Sequence, residues 1–172
     1  MYNILKFIFM IKYKDYAVVF EEMPKHISLA INITNCQNNC VGCHTPDLRE
    51  DIGKELTIDE IDRLIKENEG INCVIFMGEG NDIRSLCRLS QHVREKYCFG
   101  SISEPNQVRI ATCLYSGQTK IKDYMKENFD YIKIGPYIEE FGPLNKETTN
   151  QRLYKVVTSE LLVDVTSELW KR

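Results

Sequence analysis

Apolar residues recur along the chain in two spacings, one typical of strands and one typical of helices. Residues 26–34 (HISLAINIT) are rich in apolar and β-branched residues and predict a strand. Residues 71–77 (INCVIFM) are almost continuously apolar, which is typical of a strand that is covered on both faces. Residues 108–115 (VRIATCLY) and 131–135 (YIKIG) predict two further strands.

Three segments between these strands have the spacing of amphipathic helices, namely residues 57–68, 82–97 and 119–129. In the first segment, Thr57 and Glu60 have the spacing of a capping box. Its predicted apolar face consists of Ile58, Ile61, Leu64 and Ile65. The predicted inner stripe of the second helix consists of Ile83, Leu86, Cys87, Val93 and Tyr97.

The beginning of the chain also has a strand-like composition. Residues 3–20 predict two short strands with a turn near Lys14 and Asp15. The apolar start (MYNILKFIFMIKY) is too short to cross a bilayer, and no small-residue cleavage site follows it. We therefore expect neither a membrane span nor a secretory signal, and we expect the protein to be cytoplasmic.

The last part of the chain, residues 136–172, is less regular. The sequence GPYIEEFGPLNKETTNQRLY contains two Gly-Pro steps and predicts a long ordered loop over the rim of the sheet. The residues that follow predict a short hairpin and a terminal turn of helix.

The order of these elements is typical of βαβ units. Strands alternate with helices, which predicts an α/β fold with a parallel sheet in a single domain over residues 1–172. In such sheets, sites lie beyond the carboxyl ends of the strands. The cysteine loop at 35–46, MGEG at 77–80 and YSG at 115–117 all follow predicted strands, so we expect them to meet at one rim.

Composition and charge limit the classes of partner. Hydrophobic residues make up 43% of the 172 residues and charged residues 27%, which is ordinary for a globular domain. The formal net charge of −3 gives no electrostatic argument for binding nucleic acid or an anionic membrane. Small molecules and other proteins are therefore the expected partners.

The spacing of the cysteines is the clearest indication of a chemical function in this sequence. Three of the seven cysteines, Cys36, Cys40 and Cys43, have the spacing C-x3-C-x2-C within the loop 35–46. In a reducing compartment, clustered thiols indicate metal binding rather than disulfides. A structural zinc site normally has four ligands in two pairs, and the second pair is absent here. His44 directly follows Cys43, so a Cys3His zinc site remains an alternative, although adjacent ligands are strained.

A cubane iron–sulfur cluster with three protein ligands is the other solution. Three thiolates bind three irons and leave one iron with an open coordination position, where a small molecule can bind. Because such clusters carry electrons, a molecule bound there can be reduced.

The motif C-x3-C-x2-C after an early strand resembles the signature of radical S-adenosylmethionine (radical SAM) enzymes. Within this superfamily, the chain resembles the activating proteins of anaerobic ribonucleoside-triphosphate reductase. The segments that carry this resemblance are CVGCHTPD, YIKIGPYIEEFGPL and TTNQRLY. The resemblance extends from about residue 27 to the end of the chain. It implies an incomplete parallel (β/α) barrel of the radical SAM type.

The resemblance also implies a set of site residues. Cys36, Cys40 and Cys43 would hold a [4Fe–4S] cluster, and S-adenosylmethionine would chelate its fourth iron. Gly42 matches a position whose backbone lies near the adenine. Gly78 and Glu79 keep the superfamily's Gly-Gly-Glu-Pro motif, from which Met77 and Gly80 depart, and Ser116 of YSG matches a residue that hydrogen-bonds the ligand.

The implied activity is that of a glycyl radical activase, an oxidoreductase like the activating enzyme of formate C-acetyltransferase. A flavodoxin- or ferredoxin-like donor would supply an electron. S-adenosylmethionine would then be cleaved to methionine and a 5′-deoxyadenosyl radical. That radical would abstract hydrogen from a glycine of the reductase large subunit. No side-chain acid or base is required. The alternatives are another short radical SAM enzyme acting on a small molecule, and a zinc-stabilised interaction module.

The remaining candidates have simpler explanations. The cysteines outside the motif are expected to be buried packing residues; they are Cys73, Cys87, Cys98 and Cys113. Gly78 and Gly80 are equally typical of a turn after a strand, and Glu79 of a solvated turn residue. Residues 150–152 are surface turn residues unless they shape the rim, and the three histidines, His26, His44 and His92, have no assigned role.

Overall fold

A computed structural model describes residues 10–98 and 109–170 of the chain. These residues form one eight-stranded mixed sheet and three α-helices. The strands are β1 (Lys12–Val19), β2 (Ser28–Ile33), β3 (Lys54–Glu55), β4 (Cys73–Met77), β5 (Ala111–Tyr115), β6 (Tyr131–Ile134), β7 (Arg152–Val156) and β8 (Leu162–Asp164). The helices are α1 (Ile58–Glu67), α2 (Ile83–Lys96) and α3 (Asp123–Asn128), and two 3₁₀ turns cover Pro46–Arg49 and Thr166–Leu169.

The strands of the sheet follow the order β3-β1-β2-β4-β5-β6-β7-β8. The central strands β2, β4, β5 and β6 are parallel, as the alternation of predicted strands and helices requires. The four outer strand pairs are antiparallel, so the prediction of a parallel sheet is wrong for both flanks. Parallel neighbours need a crossover connection, which is usually a helix. The links from β1 to β2, β6 to β7 and β7 to β8 contain no α-helix, so these strand pairs are antiparallel.

The three helices contact one another in chain order, α1 with α2 and α2 with α3, and cover one face of the sheet. Every second strand residue packs against them. The fully buried strand residues on this face are Leu29, Ile31, Ile33, Val74, Phe76, Leu114 and Ile132. A second, smaller core lies on the opposite face and includes Ala30, Cys73, Ile75, Cys113 and Leu153. Residues 73–76 are therefore covered on both sides, as predicted.

Helix α1 begins where the capping pattern predicts. The Thr57 hydroxyl accepts a hydrogen bond from the Glu60 backbone N–H at 3.0 Å. The Glu60 carboxylate does not return to Thr57; it accepts hydrogen bonds from Tyr13 and Arg63 instead. On the predicted apolar face of α1, Ile58 is exposed and the other three residues are buried.

The N-terminal prediction needs correction. Residues 12–19 form one strand that passes through Lys14 and Asp15, so no turn lies there. The pairing of β1 with β2 shifts register between Tyr13 and Tyr16, which lets the strand bend without ending. Residues 3–9 lie outside the described residues. Among residues 10–98 and 109–170, no helix is long and apolar enough to cross a membrane.

The C-terminal prediction is confirmed in outline. Residues 135–151 contain no helix or strand, β7 and β8 form the hairpin, and the final helical turn is 3₁₀. The cysteines outside the loop differ from one another. Cys73 and Cys113 are fully buried and Cys87 packs partly against the core, but Cys98 is exposed, so its predicted burial is wrong.

Candidate functional site

A cavity of about 320 Å³ lies at the carboxyl ends of the four parallel strands. Each strand contributes one side chain from the same row of the sheet: Asn32, Met77, Tyr115 and Lys133 are register partners in that order. Met77 and Tyr115 pack on the smaller core, so the row faces away from the helices. The predicted meeting of three segments at this rim is seen here, because the cysteine loop, Gly78 and Ser116 all line the cavity.

The cysteine loop is folded back onto the chain that follows it. Asn35 has a φ of +58°, which turns the chain out of β2. The backbone N–H of Cys36 then donates to the Leu48 carbonyl at 2.9 Å, and the Arg49 guanidinium donates to the Cys40 carbonyl at 2.7 Å. These bonds bring Cys36, Cys40 and Cys43 to the wall of the cavity, where all three are partly buried.

The Cys40 thiol is affected by burial and by the other two thiols of the loop. Burial raises the pKa of the Cys40 thiol above its usual value, and the neighbouring Cys43 and Cys36 raise it further, while Lys133 and Arg49 oppose the shift. All three cysteines are free. Within the described part of the chain, no group of three or more histidine, cysteine or acidic side chains is arranged so that it could hold a metal ion. The thiols therefore share a cavity wall without forming a closed ligand set.

The turn after β5 lies directly against the cysteine loop. A Cβ added to Gly117 would lie 2.5 Å from the Sγ of Cys40 and 3.5 Å from the Cβ of Asn38. No larger residue fits at position 117 unless the Cys40 side chain moves. Glycine is needed there for the close approach and not for backbone freedom, since its φ is outside the left-handed region.

Replacing Gly117 by alanine tests this contact. The added methyl group would force the Cys40 side chain to rotate out of place, so we expect the affinity for the predicted iron–sulfur cluster to fall by on the order of tenfold or more, with little change in the free energy of unfolding. Iron and sulfide per chain after anaerobic reconstitution, together with urea unfolding, measure both effects. The matched control is Gly70→Ala, where φ is +91° and nothing lies within 4 Å. That variant should lose about 1 kcal/mol of stability and keep its iron; the reverse pattern would contradict the prediction.

Glu79 has a different environment from the one predicted. Its carboxylate is buried, lies outside the cavity lining, and accepts hydrogen bonds from three side chains. The donors are the Ser116 hydroxyl, the Gln118 amide at 2.7 Å and the Tyr124 hydroxyl at 3.0 Å. Glu79 is therefore not a solvated turn residue.

The glycines predicted for the site differ in their positions. Gly78 lines the cavity and has a φ of +111°. Gly42 is exposed, has a φ of +75° and is not part of the lining. Gly80 packs into the core, where an added Cβ would lie 2.9 Å from the Cδ1 of Ile11, so a larger residue would require its neighbours to shift.

Lys133 was not among the predicted site residues. It lines the cavity, is 8% exposed, and donates to the Gly135 carbonyl at 2.7 Å. Burial lowers the pKa of this ammonium to about 8. A lysine between two apolar residues of a buried strand, in the sequence YIKIG, was the available signal. A cation at this depth favours a ligand with an anionic group.

The rim loop also contributes to the cavity lining, through Tyr137, which was not predicted, and through Gln151 of the segment 150–152, which was predicted either as a surface turn or as part of the rim. Tyr137 lines the cavity, and its ring centroid lies 3.8 Å from that of His44, which gives His44 a packing partner at the mouth. Gln151 is buried in the lining. Its neighbours secure the loop: the Asn150 amide donates to the Pro136 carbonyl at 2.9 Å, and Arg152 donates to the Thr149 carbonyl at 2.7 Å.

No family model matches the chain, and no curated protein or solved structure is significantly similar to it. The cysteine motif, the geometry of the cavity and the chemistry of the residues that line it are therefore the features that indicate a function.

Proposed function

We propose that this protein is a radical SAM activating enzyme that reductively cleaves S-adenosylmethionine and generates a glycyl radical on the large subunit of an anaerobic ribonucleoside-triphosphate reductase. One observation carries the proposal: the three cysteines of a C-x3-C-x2-C loop line a single cavity at the carboxyl ends of four parallel strands. Sites in sheets of this kind lie at this edge.

The donor atoms of the cysteine loop are compatible with an iron–sulfur cluster. Thiolates are soft donors that suit both zinc and iron–sulfur clusters. A single ion needs all its ligands at one point, whereas a cubane binds each thiolate at a separate iron and accepts a wider spacing. Cys36, Cys40 and Cys43 all line the cavity, and three thiolates are one ligand short of the four that a structural zinc site uses, which supports the cluster over a single zinc ion.

When bound, the cluster and S-adenosylmethionine would supply one-electron cleavage of a sulfonium bond, and the protein would supply binding and orientation. Cys36, Cys40 and Cys43 would hold the cluster. Lys133 would attract an anionic group of the ligand, and the backbone at Gly78 would approach it closely, since no side chain intervenes. The walls formed by Tyr115, Tyr137 and the rim loop would limit access of water to the radical.

The fold supports a macromolecular substrate. We propose that the central strands correspond to the incomplete parallel barrel of radical SAM enzymes, with β1, β3, β7 and β8 as antiparallel additions. In the described residues, the three α-helices lie on the face away from the cavity, so a glycine-bearing loop of a partner protein could approach the cavity from the side that the α-helices do not cover. A flavodoxin- or ferredoxin-like protein would donate the electron.

Anaerobic reconstitution with iron and sulfide tests the proposal. We expect brown protein with roughly four irons per chain, and 5′-deoxyadenosine and methionine on addition of reductant and S-adenosylmethionine. Mixing with a reductase large subunit should then produce a glycyl radical signal in electron paramagnetic resonance. Cleavage without that signal would favour a radical SAM enzyme acting on a small molecule. Colourless protein with one zinc per chain would overturn the proposal in favour of an interaction module.

A further inference from the structure

The buried carboxylate of Glu79 lies beside the turn that contacts the cysteine loop. Glu79 is 5% exposed, and its two oxygens accept hydrogen bonds from Ser116, Gln118 and Tyr124. A carboxylate offers about four acceptor positions, so three of them are already used by groups of this chain. Two of the three donors come from the turn that directly follows β5.

This turn, residues 116–118, is bound on two sides. On the β6 side, the Ser116 N–H donates to the Lys133 carbonyl at 2.8 Å, and the Gly135 N–H donates to the Gln118 carbonyl at 2.7 Å. Within the turn, the Gln118 N–H donates to the Ser116 hydroxyl oxygen at 3.0 Å. Glu79 binds the Ser116 and Gln118 side chains from the opposite side and so bridges the residues on either side of Gly117.

Gly117, the central residue of the turn, contacts the cysteine loop, so the position of the turn affects the position of the loop. Gly117 approaches Cys40 so closely that even a methyl group would displace the thiol. The three atoms nearest to this position belong to Cys40 and Asn38, so Cys40 is the loop cysteine in closest contact with the turn. A shift of the turn would therefore move or uncover the Cys40 thiol and leave Cys36 and Cys43 less affected.

We propose that Glu79 is a positioning residue that fixes residues 116–118 against the Cys40 thiol, and that it acts through this turn rather than by contacting S-adenosylmethionine. The part of this inference that concerns the cluster rests on the proposed function. The coupling between Glu79 and Cys40 does not, because every contact in it lies within the metal-free chain.

The test is site-resolved alkylation of the metal-free, fully reduced protein. Glu79→Gln keeps the size of the side chain but loses an acceptor and presents an NH₂ group to buried donors, which should loosen the turn. We expect the rate of Cys40 alkylation by iodoacetamide to rise at least about threefold as the thiol becomes accessible, while the rates at Cys36 and Cys43 stay close to wild type. Mass spectrometry of the labelled peptides measures the three rates in one sample.

Two further variants make the result specific. Tyr124→Phe removes one hydrogen bond from the same carboxylate but keeps both bonds to the turn, so the Cys40 rate should stay within about twofold of wild type. If Glu79→Gln does not fold, Ser116→Ala breaks one link between Glu79 and the turn and should raise the Cys40 rate in the same way. Thermal unfolding of each variant identifies those that fold.

The outcomes separate this inference from the proposed function. A selective rise at Cys40 supports the coupling even if the wild-type protein binds no iron. An unchanged Cys40 rate in a folded Glu79→Gln protein overturns it, whether or not the reconstituted variant binds S-adenosylmethionine more weakly. An equal rise at all three cysteines also overturns it, since that result indicates general loosening of the loop.

Discussion

Replacing Cys43 by serine is expected to remove most of the iron from the reconstituted protein and to reduce S-adenosylmethionine cleavage to background. Serine is close to cysteine in size, but a hydroxyl is a poor ligand for soft metals at neutral pH. Because the described residues near the cavity offer no closed alternative ligand set, the loss should not be compensated. Iron and sulfide analysis, visible absorbance and the yield of 5′-deoxyadenosine measure the effect.

Cys98 provides the matched control. It is exposed near the end of α2 and does not line the cavity, and its thiol donates to the Glu95 carbonyl at 3.1 Å. Cys98→Ser should therefore keep the iron content and activity of the wild-type protein. Equal losses in Cys98→Ser and Cys43→Ser would contradict the assignment of the site to the loop, as would full iron content in Cys43→Ser.

Replacing Phe76 by alanine is expected to lower the free energy of unfolding by about 3–5 kcal/mol. Phe76 lies in the central strand β4, is fully buried, and packs edge-on against Phe129 with ring centroids 6.0 Å apart. Its register partners, Ile31 and Leu114, are fully buried too, so the surroundings cannot easily collapse into the space left behind. A loss of this size is a large fraction of the stability of a typical domain.

Urea unfolding followed by circular dichroism measures this loss as a lower midpoint. Phe20→Ala is the control, because that side chain is 69% exposed and its removal should change stability by no more than about 0.5 kcal/mol. Similar midpoints for the two variants would contradict the assignment of Phe76 to the main core.

The central part of the fold could be predicted because its signals are local. The apolar run at 71–77 and the capping pattern at Thr57 each depend on neighbours within a few residues, and both predict elements that the structure contains. The flanks could not be predicted in the same way. Strand direction there depends on which segments pair, and the register shift between Tyr13 and Tyr16 depends on the pairing of β1 with β2.

The site residues also differ in whether local sequence information is enough to predict them. The sequence motif identifies Cys36, Cys40 and Cys43 because ligand spacing within one loop is local information. It does not reveal Lys133, whose position in the cavity depends on the register of β6 with β5. Nor does it reveal that Glu79 hydrogen-bonds side chains some 40 residues later in the chain.

The sequence by itself determined the order of the central strands and helices and the soft-ligand character of the cysteine loop, since periodicity and side-chain chemistry are properties of short segments. Only the tertiary structure decided the antiparallel flanks of the sheet, the side chains that face the cavity, and the contact of Gly117 with Cys40. Each of these depends on segments that are distant in the chain, and packing between such segments is settled by the fit of the whole core.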